Sequence, residues 1–251
     1  MAKVYFIGAG PGDPELITVK GRRLLDVADV VIYAGSLVNP ALLEGIKGEV
    51  YDSASMDLDG IVAKTEEAVK RGAVVVRLHT GDTSFYSAIS EQIERLRKLG
   101  IDYEVVPGVS SAMAGAATLR QELTIPEISQ TVIFTRMEGR TRVPESEGLR
   151  MLAKHRATMV IFLSVGMIEK VQAELLEGYG PETPFAVIEK ASWPEERLVR
   201  GRLKDMTEIV KASGIRKTAL IYIGEALLAS ETSLGKESKL YNKDFTHEFR
   251  K

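Results

Sequence analysis

Residues 8–14, Gly8-Ala9-Gly10-Pro11-Gly12-Asp13-Pro14, follow the apolar run Val4-Tyr5-Phe6-Ile7. Glycine lets a backbone come close to a bound molecule and proline fixes φ, so the segment reads as a stiff loop at a strand end. The first chemistry to test is a dinucleotide pyrophosphate. That site needs a third glycine for helix–strand packing, and Asp13 stands there instead. The following strand should close on an acid for the ribose, but Tyr33 is succeeded by Ala34 and Gly35. Pro11 and Pro14 lack the N–H groups that a phosphate would take. The dinucleotide pattern fails on all three counts, and no GxxxxGK[ST] phosphate loop occurs. A loop that holds some other ligand and a plain tight turn both remain open here.

Four more loops of small and hydroxyl residues follow apolar runs, the position at which open α/β sheets bind ligands. They are His79-Thr80-Gly81-Asp82-Thr83, Pro107-Gly108-Val109-Ser110-Ser111-Ala112, Ser164-Val165-Gly166-Met167 and Lys190-Ala191-Ser192-Trp193-Pro194. Asp82 suits an ammonium or a ribose hydroxyl, and equally an N-cap for the next helix; Ser110 and Ser111 pose the same choice. Arg136, Arg140 and Arg142 fall within seven residues that contain one acid, Glu138, a local positive excess that suits carboxylates or an ordinary solvated loop. Lys190 is a weaker basic candidate. Trp193 could stack on a flat ring or pack at a domain boundary, and His79 reads as structural. With no cysteine, thiolate nucleophiles and Cys-based zinc sites are impossible, and His79, His155 and His247 are too far apart for an HExxH pattern.

These loops need a scaffold. The chain has 251 residues, enough for two small domains, with 45% hydrophobic and 27% charged residues as in a folded globular protein. A formal charge of −2 gives no overall positive field for nucleic acid or an anionic membrane. No apolar run approaches the ~20 residues needed to span a bilayer, and no leader pattern precedes the first strand, so a cytoplasmic location is expected. Apolar runs near 30–33, 73–76 and 103–106 alternate with helical patterns at 16–27, 57–71 and 86–99. The rhythm breaks at Thr124-Ile125-Pro126-Glu127-Ile128 and resumes with strands near 131–135, 158–163, 185–189 and 219–223. The expected fold is α/β: two α/β domains, 1–122 and 123–230, with mostly parallel or mixed sheets, and a polar tail over 231–251.

Taken together and in order, Gly8 to Pro14, Thr80-Gly81-Asp82 and Val106-Pro107-Gly108-Val109-Ser110-Ser111 resemble the hallmarks of the tetrapyrrole (corrin and porphyrin) methyltransferases, and the likeness covers nearly the whole chain. The resemblance implies S-adenosyl-L-methionine as cofactor, S-adenosyl-L-homocysteine as its product, a tetrapyrrole substrate, and usually a homodimer with the cofactor in a cleft between two α/β domains. It implies cofactor contacts at Pro11, Thr80, Gly81, Asp82, Phe85, Ser110, Ser111, Ser164, Ala191 and Ala219; at Ser164 some relatives carry methionine. The first glycine loop then lies on the tetrapyrrole side, with Gly10, Gly12, Asp13, Arg136, Arg140 and Arg142 as substrate candidates.

Three stretches narrow the likeness to a branch that methylates a corrin precursor. These are Leu123 to Pro126 with Thr131 to Arg136, Glu138 to Thr141 with Pro144-Glu145, and the tail Ser238 to Tyr241 with Phe245 to His247. Displacement at a sulfonium methyl asks for alignment and dryness rather than acid–base groups, so no catalytic base is named and no protein metal site is expected. A methylase of the same fold acting on uroporphyrinogen or another corrin position, and a tetrapyrrole binder without catalysis, are the alternatives.

Overall fold

The computed structural model describes residues 3–230 and Thr246. The narrowing tail stretches 238–241, 245 and 247 lie outside the described residues. The chain divides into two compact units, Met1–Ala114 with Ala191–Glu195, and Gly115–Lys190 with Glu196–Lys251.

In the first unit, alternating side chains along the strands bury two faces at once, which is what continuous apolar runs require. Strands β1 (Val4–Gly8), β2 (Val30–Tyr33), β3 (Glu49–Asp52), β4 (Val75–His79) and β5 (Tyr103–Val106) form one parallel sheet in the order β3-β2-β4-β1-β5. Ile7, Val31, Val76 and Leu78 pack on one face with Leu25 of helix α1 (Val19–Asp26). Val4, Phe6, Val30, Ile32 and Val75 pack on the other with Ala68 of α2 (Leu58–Lys70) and Leu96 of α3 (Ile89–Lys98). Each fully buried side chain of this size contributes roughly 1.5–3 kcal/mol. The helix boundaries follow local chemistry: Asp57 Oδ1 accepts from Gly60 N at 2.8 Å at the start of α2, and Gly72, at φ +83°, follows its end.

This arrangement fixes where a ligand site can be. The connection from β1 runs over the α1 face to β2, and the connection from β4 runs over the opposite face to β5. Because β1 and β4 are neighbours, their carboxyl ends form a topological switch point, where open sheets leave a crevice.

The second unit, expected to carry a mostly parallel or mixed sheet, carries a mixed one. Its strands β6 (Val132–Arg136), β7 (Thr158–Phe162), β8 (Pro184–Glu189), β9 (Arg197–Arg202) and β10 (Ala219–Ile223) pair in the order β6-β7-β10-β8-β9. β6–β7 is parallel, whereas β7–β10, β10–β8 and β8–β9 are antiparallel, giving a mixed sheet. Residues 190–196 join β8 to β9 without a helix, so the chain returns antiparallel. β9, like β3, is an exposed edge strand whose charged residues give no apolar run, and neither stands out in the sequence. The core of this unit gathers Met159, Ile161, Phe185, Val187 and Ile221 against Leu149 of α5 (Leu149–Ala153), Val171 of α6 (Ile168–Leu175) and Val210 of α7 (Met206–Ser213). Among the described residues, no helix is long and apolar enough to cross a membrane.

β4 is buried on both faces although it carries Arg77 and His79. Arg77 donates from Nε to Gln92 Oε1 at 3.0 Å and from Nη1 to the Ile32 carbonyl at 2.9 Å, and burial lowers its pKa to about 10. His79 stacks on Phe6 with ring centroids 6.2 Å apart. Burial first, and the Arg77 charge second, push its pKa down to about 3. The unfolded chain therefore takes up a proton near pH 6.5 that the folded chain refuses. This group costs nothing above that pH, and its cost to stability grows as pH falls from 6.5 toward 3. His79→Leu should flatten the loss of unfolding free energy on acidification, by up to about 1.4 kcal/mol per pH unit below pH 6. Urea titrations of both proteins at pH 7 and 5.5 check it; parallel losses would show that His79 titrates normally.

Candidate functional site

At the carboxyl ends of β1, β4 and β5, three loops meet through glycine. A Cβ added to Gly8 would lie 2.6 Å from both the Gly108 Cα and the Gly81 carbonyl oxygen. A Cβ on Gly108 would strike that same Gly81 oxygen and lie 2.7 Å from the Gly8 Cα. No side chain fits where these backbones touch. Gly10 and Gly81 extend the junction as an antiparallel bridge: Gly81 N–H donates to the Gly10 carbonyl at 2.7 Å and Gly10 N–H to the Gly81 carbonyl at 3.2 Å. Their φ values of +82° and +63° are in the left-handed region that glycine enters cheaply.

Asp82 locks this junction. Its Oδ2 accepts from Gly108 N at 2.8 Å and its Oδ1 from Ser84 N at 2.8 Å. Burial works to raise its pKa, but the N–H donors of Gly108 and Ser84 outweigh it and hold the carboxyl below its ordinary value. Asp82 is not the cap of α3: that helix starts after Ala88, which is itself left-handed with φ +49° and makes no side-chain cap. Tyr86 is also left-handed, at φ +53°, so the turn after Asp82 holds two non-glycine residues in a conformation that costs about 1–3 kcal/mol each.

The remaining candidates of this unit gather on the same edge. Ser110 is buried, and its Oγ accepts from Ala112 N at 3.3 Å at the start of α4 (Ser111–Leu119), so the capping role is realised there. Ser111 N lies 3.8 Å from where a Gly81 Cβ would stand, which brings the third loop against the second. Thr80 and Phe85 are half-buried beside them. The Pro11 carbonyl accepts from Trp193 Nε1 at 2.9 Å, and Asp13 N–H donates to Ser192 Oγ at 3.0 Å. Asp13 Oδ1 accepts from Glu15 N at 2.9 Å, capping the short turn Pro14–Leu16. Ala191 is buried and belongs to this unit, although it follows β8 in sequence.

The loops 8–14, 79–85 and 107–112 carry two carboxylates, several hydroxyls and no lysine or arginine. Beside Asp82, the buried Thr83 Oγ1 has no hydrogen-bond partner among the described residues. Such an edge suits a cationic, polar ligand and is unsuited to a phosphate. S-adenosylmethionine, a sulfonium with an ammonium, fits that donor set.

In the second unit, Ser164 is fully buried. Its Oγ donates to the Phe162 carbonyl at 2.6 Å and accepts from Met137 N at 2.8 Å, joining the turns that follow β7 and β6. Its neighbour Leu163 is 70% exposed and left-handed, φ +54°. Lys190 after β8 (φ +50°) and Thr218 before β10 (φ +52°) share that conformation at the same sheet edge, where Lys190 N–H donates to the Thr218 carbonyl at 2.9 Å. Leu163 is the apolar surface presented at that edge. Ala219 begins β10 opposite Glu189 on that edge.

Arg136 spends its guanidinium on its own loop, donating from Nη1 to the Met137 and Thr141 carbonyls at 3.3 and 3.1 Å and from Nη2 to the Arg142 carbonyl at 2.8 Å. It shapes the turn that carries Arg140 and Arg142, both exposed.

Asn39 and Leu163 are the positions that residue type alone did not single out as site-forming, whereas Gly8, Gly108 and Trp193 stand in loops already noted for their composition. Asn39 Nδ2 donates to the Gly12 carbonyl at 2.7 Å, from a turn with no motif to announce it.

The fold and the glycine-closed loops define a class, and comparison with known proteins gives it a name. Residues 3–207 match the family model of the Tetrapyrrole (Corrin/Porphyrin) Methylases. This chain belongs to that family. It is 58% identical over 252 residues to a cobalt-precorrin-4 C(11)-methyltransferase of Methanocaldococcus jannaschii, covering 99% of this chain and 96% of the relative. An X-ray structure of a cobalt precorrin-4 methyltransferase superposes with a TM-score of 0.88 at 50% identity, over 90% of this chain and 95% of the other. A uroporphyrin-III C-methyltransferase from Thermus thermophilus, complexed with S-adenosylhomocysteine, gives 0.77 at 32% identity, over 91% and 94% of the two chains.

Proposed function

We propose that this chain transfers a methyl group from S-adenosylmethionine to carbon 11 of precorrin-4 or cobalt-precorrin-4 in cobalamin biosynthesis. The observation that carries the reading is the contact of Gly8, Gly81 and Gly108 at the β1–β4 switch point, where the loops carry acidic and hydroxyl groups and no lysine or arginine. When bound, the cofactor supplies an electrophilic methyl on sulfur and leaves as a neutral thioether. The chain's own residues orient and exclude water. Asp82 fixes the β4 and β5 loops against each other, Gly10 and Gly81 bridge the β1 and β4 loops in a left-handed conformation, and Leu163 offers an apolar surface. Alignment of this kind is worth several powers of ten in rate without any acid–base group.

The cofactor contacts in this reading are Pro11, Thr80, Gly81, Asp82, Phe85, Ser110, Ser111, Ala191 and Ala219, with the turn at Leu163-Ser164. Gly10, Gly12 and Asp13 contact the substrate in this reading, and Arg140 and Arg142 meet its carboxylates, with Arg136 holding the arginine turn. The family resemblance supports a homodimer, and a cytoplasmic location is part of the same reading.

Incubation with methyl-labelled S-adenosylmethionine and individual tetrapyrroles tests the assignment. One label per precorrin-4 or cobalt-precorrin-4, with one S-adenosylhomocysteine released, is the expected result. Transfer to uroporphyrinogen III or another corrin precursor alone would reassign the substrate, and tetrapyrrole binding without any S-adenosylhomocysteine would leave a binder.

A further inference from the structure

The glycine loop is held from outside its own element. Residues Ala191–Glu195, which follow β8 in sequence, pack as part of the first unit. There Trp193 Nε1 donates to the Pro11 carbonyl at 2.9 Å and Ser192 Oγ accepts from Asp13 N at 3.0 Å. Ser192 adopts φ +67° to do so, a conformation a serine enters only under constraint. Between these two bonds lies Gly12. A Cβ there would run into Trp193 Cδ1 and Nε1 and stand 2.7 Å from Cγ. The three nearest atoms all belong to the indole, and the φ of Gly12 is outside the left-handed region. Gly12 is thus a glycine because of the indole, and not because of its backbone.

We infer that Trp193 is a positioning residue that sets the register of Pro11–Asp13, and not a platform on which the macrocycle stacks. The inference rests on the reading of loop 8–14 as the tetrapyrrole-side loop. An indole committed by its N–H to Pro11 and by its ring edge to Gly12 seats the loop and leaves Asp13 capping its turn. Loosening that seat should act on substrate capture before it acts on the chemical step.

The experiment uses the full-length enzyme, S-adenosylhomocysteine as calorimetric probe, and precorrin-4 or cobalt-precorrin-4 turnover. Trp193→Phe keeps a ring but deletes the donor; its KM for the tetrapyrrole should rise about three- to tenfold, the worth of one such hydrogen bond, with kcat within about twofold. Gly12→Ala should raise KM further. Combined with Trp193→Ala, which vacates the space, Gly12→Ala should add less than about twofold to the effect of Trp193→Ala alone. An unchanged KM in Trp193→Phe overturns the inference, as does a Gly12→Ala penalty that is the same with and without the indole. A lower kcat and melting temperature at constant KM would make Trp193 a packing residue only and also overturn it. If the unmutated chain binds no S-adenosylhomocysteine and methylates no tetrapyrrole, the functional reading itself fails, a result distinct from any of these.

Discussion

Gly108→Ala should cost the protein both its stability and its cofactor affinity. The methyl group would meet the Gly81 carbonyl and, at 2.7 and 2.9 Å, the Cα and carbonyl carbon of Gly8. All three are backbone atoms, so none can rotate away as a side chain would. Forcing them apart separates the ends of β1, β4 and β5, with an expected loss of about 3 kcal/mol or more. In a chain of this length that is roughly 6 °C or more in melting temperature. A misplacement of an ångström at the loops should weaken S-adenosylhomocysteine about a hundredfold. Gly100→Ala is the matched control. Gly100 has φ +67° and nothing within 4 Å of an added Cβ, so it bears only conformational strain of about 1 kcal/mol. Melting curves and calorimetry on both variants decide the matter; equal behaviour would mean that the three loops do not touch.

Asp82→Ala should be the next most damaging change. It removes the acceptor for Gly108 N and Ser84 N together, each a charge-assisted bond at 2.8 Å. The loss in stability should be about 1–3 kcal/mol, because one partner amide is left in a half-buried loop. S-adenosylhomocysteine affinity should fall about tenfold alongside. Asp82→Asn keeps one acceptor oxygen and should lie between. The sign with pH follows from a carboxyl held below its ordinary value of 3.8. The stabilisation is complete above the unfolded pKa, unaltered across neutral pH, and lost as pH drops through the lower folded value. Loss of affinity in Asp82→Ala with an unchanged melting temperature would place the carboxylate on the cofactor instead of on Gly108.

The first sheet was legible because β1, β2 and β4 are buried on both faces, which forces continuous apolar runs between glycine-rich loops. β9 was not legible, since the arginines of this edge strand, Arg197–Arg202, interrupt any apolar run, and its antiparallel pairing reflects a short return rather than a sequence signal. Candidate loops could be found, but not the partners of their side chains. Asp82 and Ser110 offer the same capping chemistry on paper. In three dimensions Ser110 caps its helix, while Asp82 reaches 26 positions along the chain to Gly108.

By itself, the order of residues determined the α/β class, the placement of glycine loops at strand ends and the absence of thiolate chemistry. These are properties of local composition and periodicity, which a linear chain carries explicitly. Tertiary structure alone decided that Gly8, Gly81 and Gly108 share one point, that Ser164 is buried while Leu163 is exposed, and that Trp193 bars a side chain at Gly12. The physical reason is that contact between residues a hundred positions apart depends on strand order and on excluded volume. Neither exists until the chain has folded back on itself.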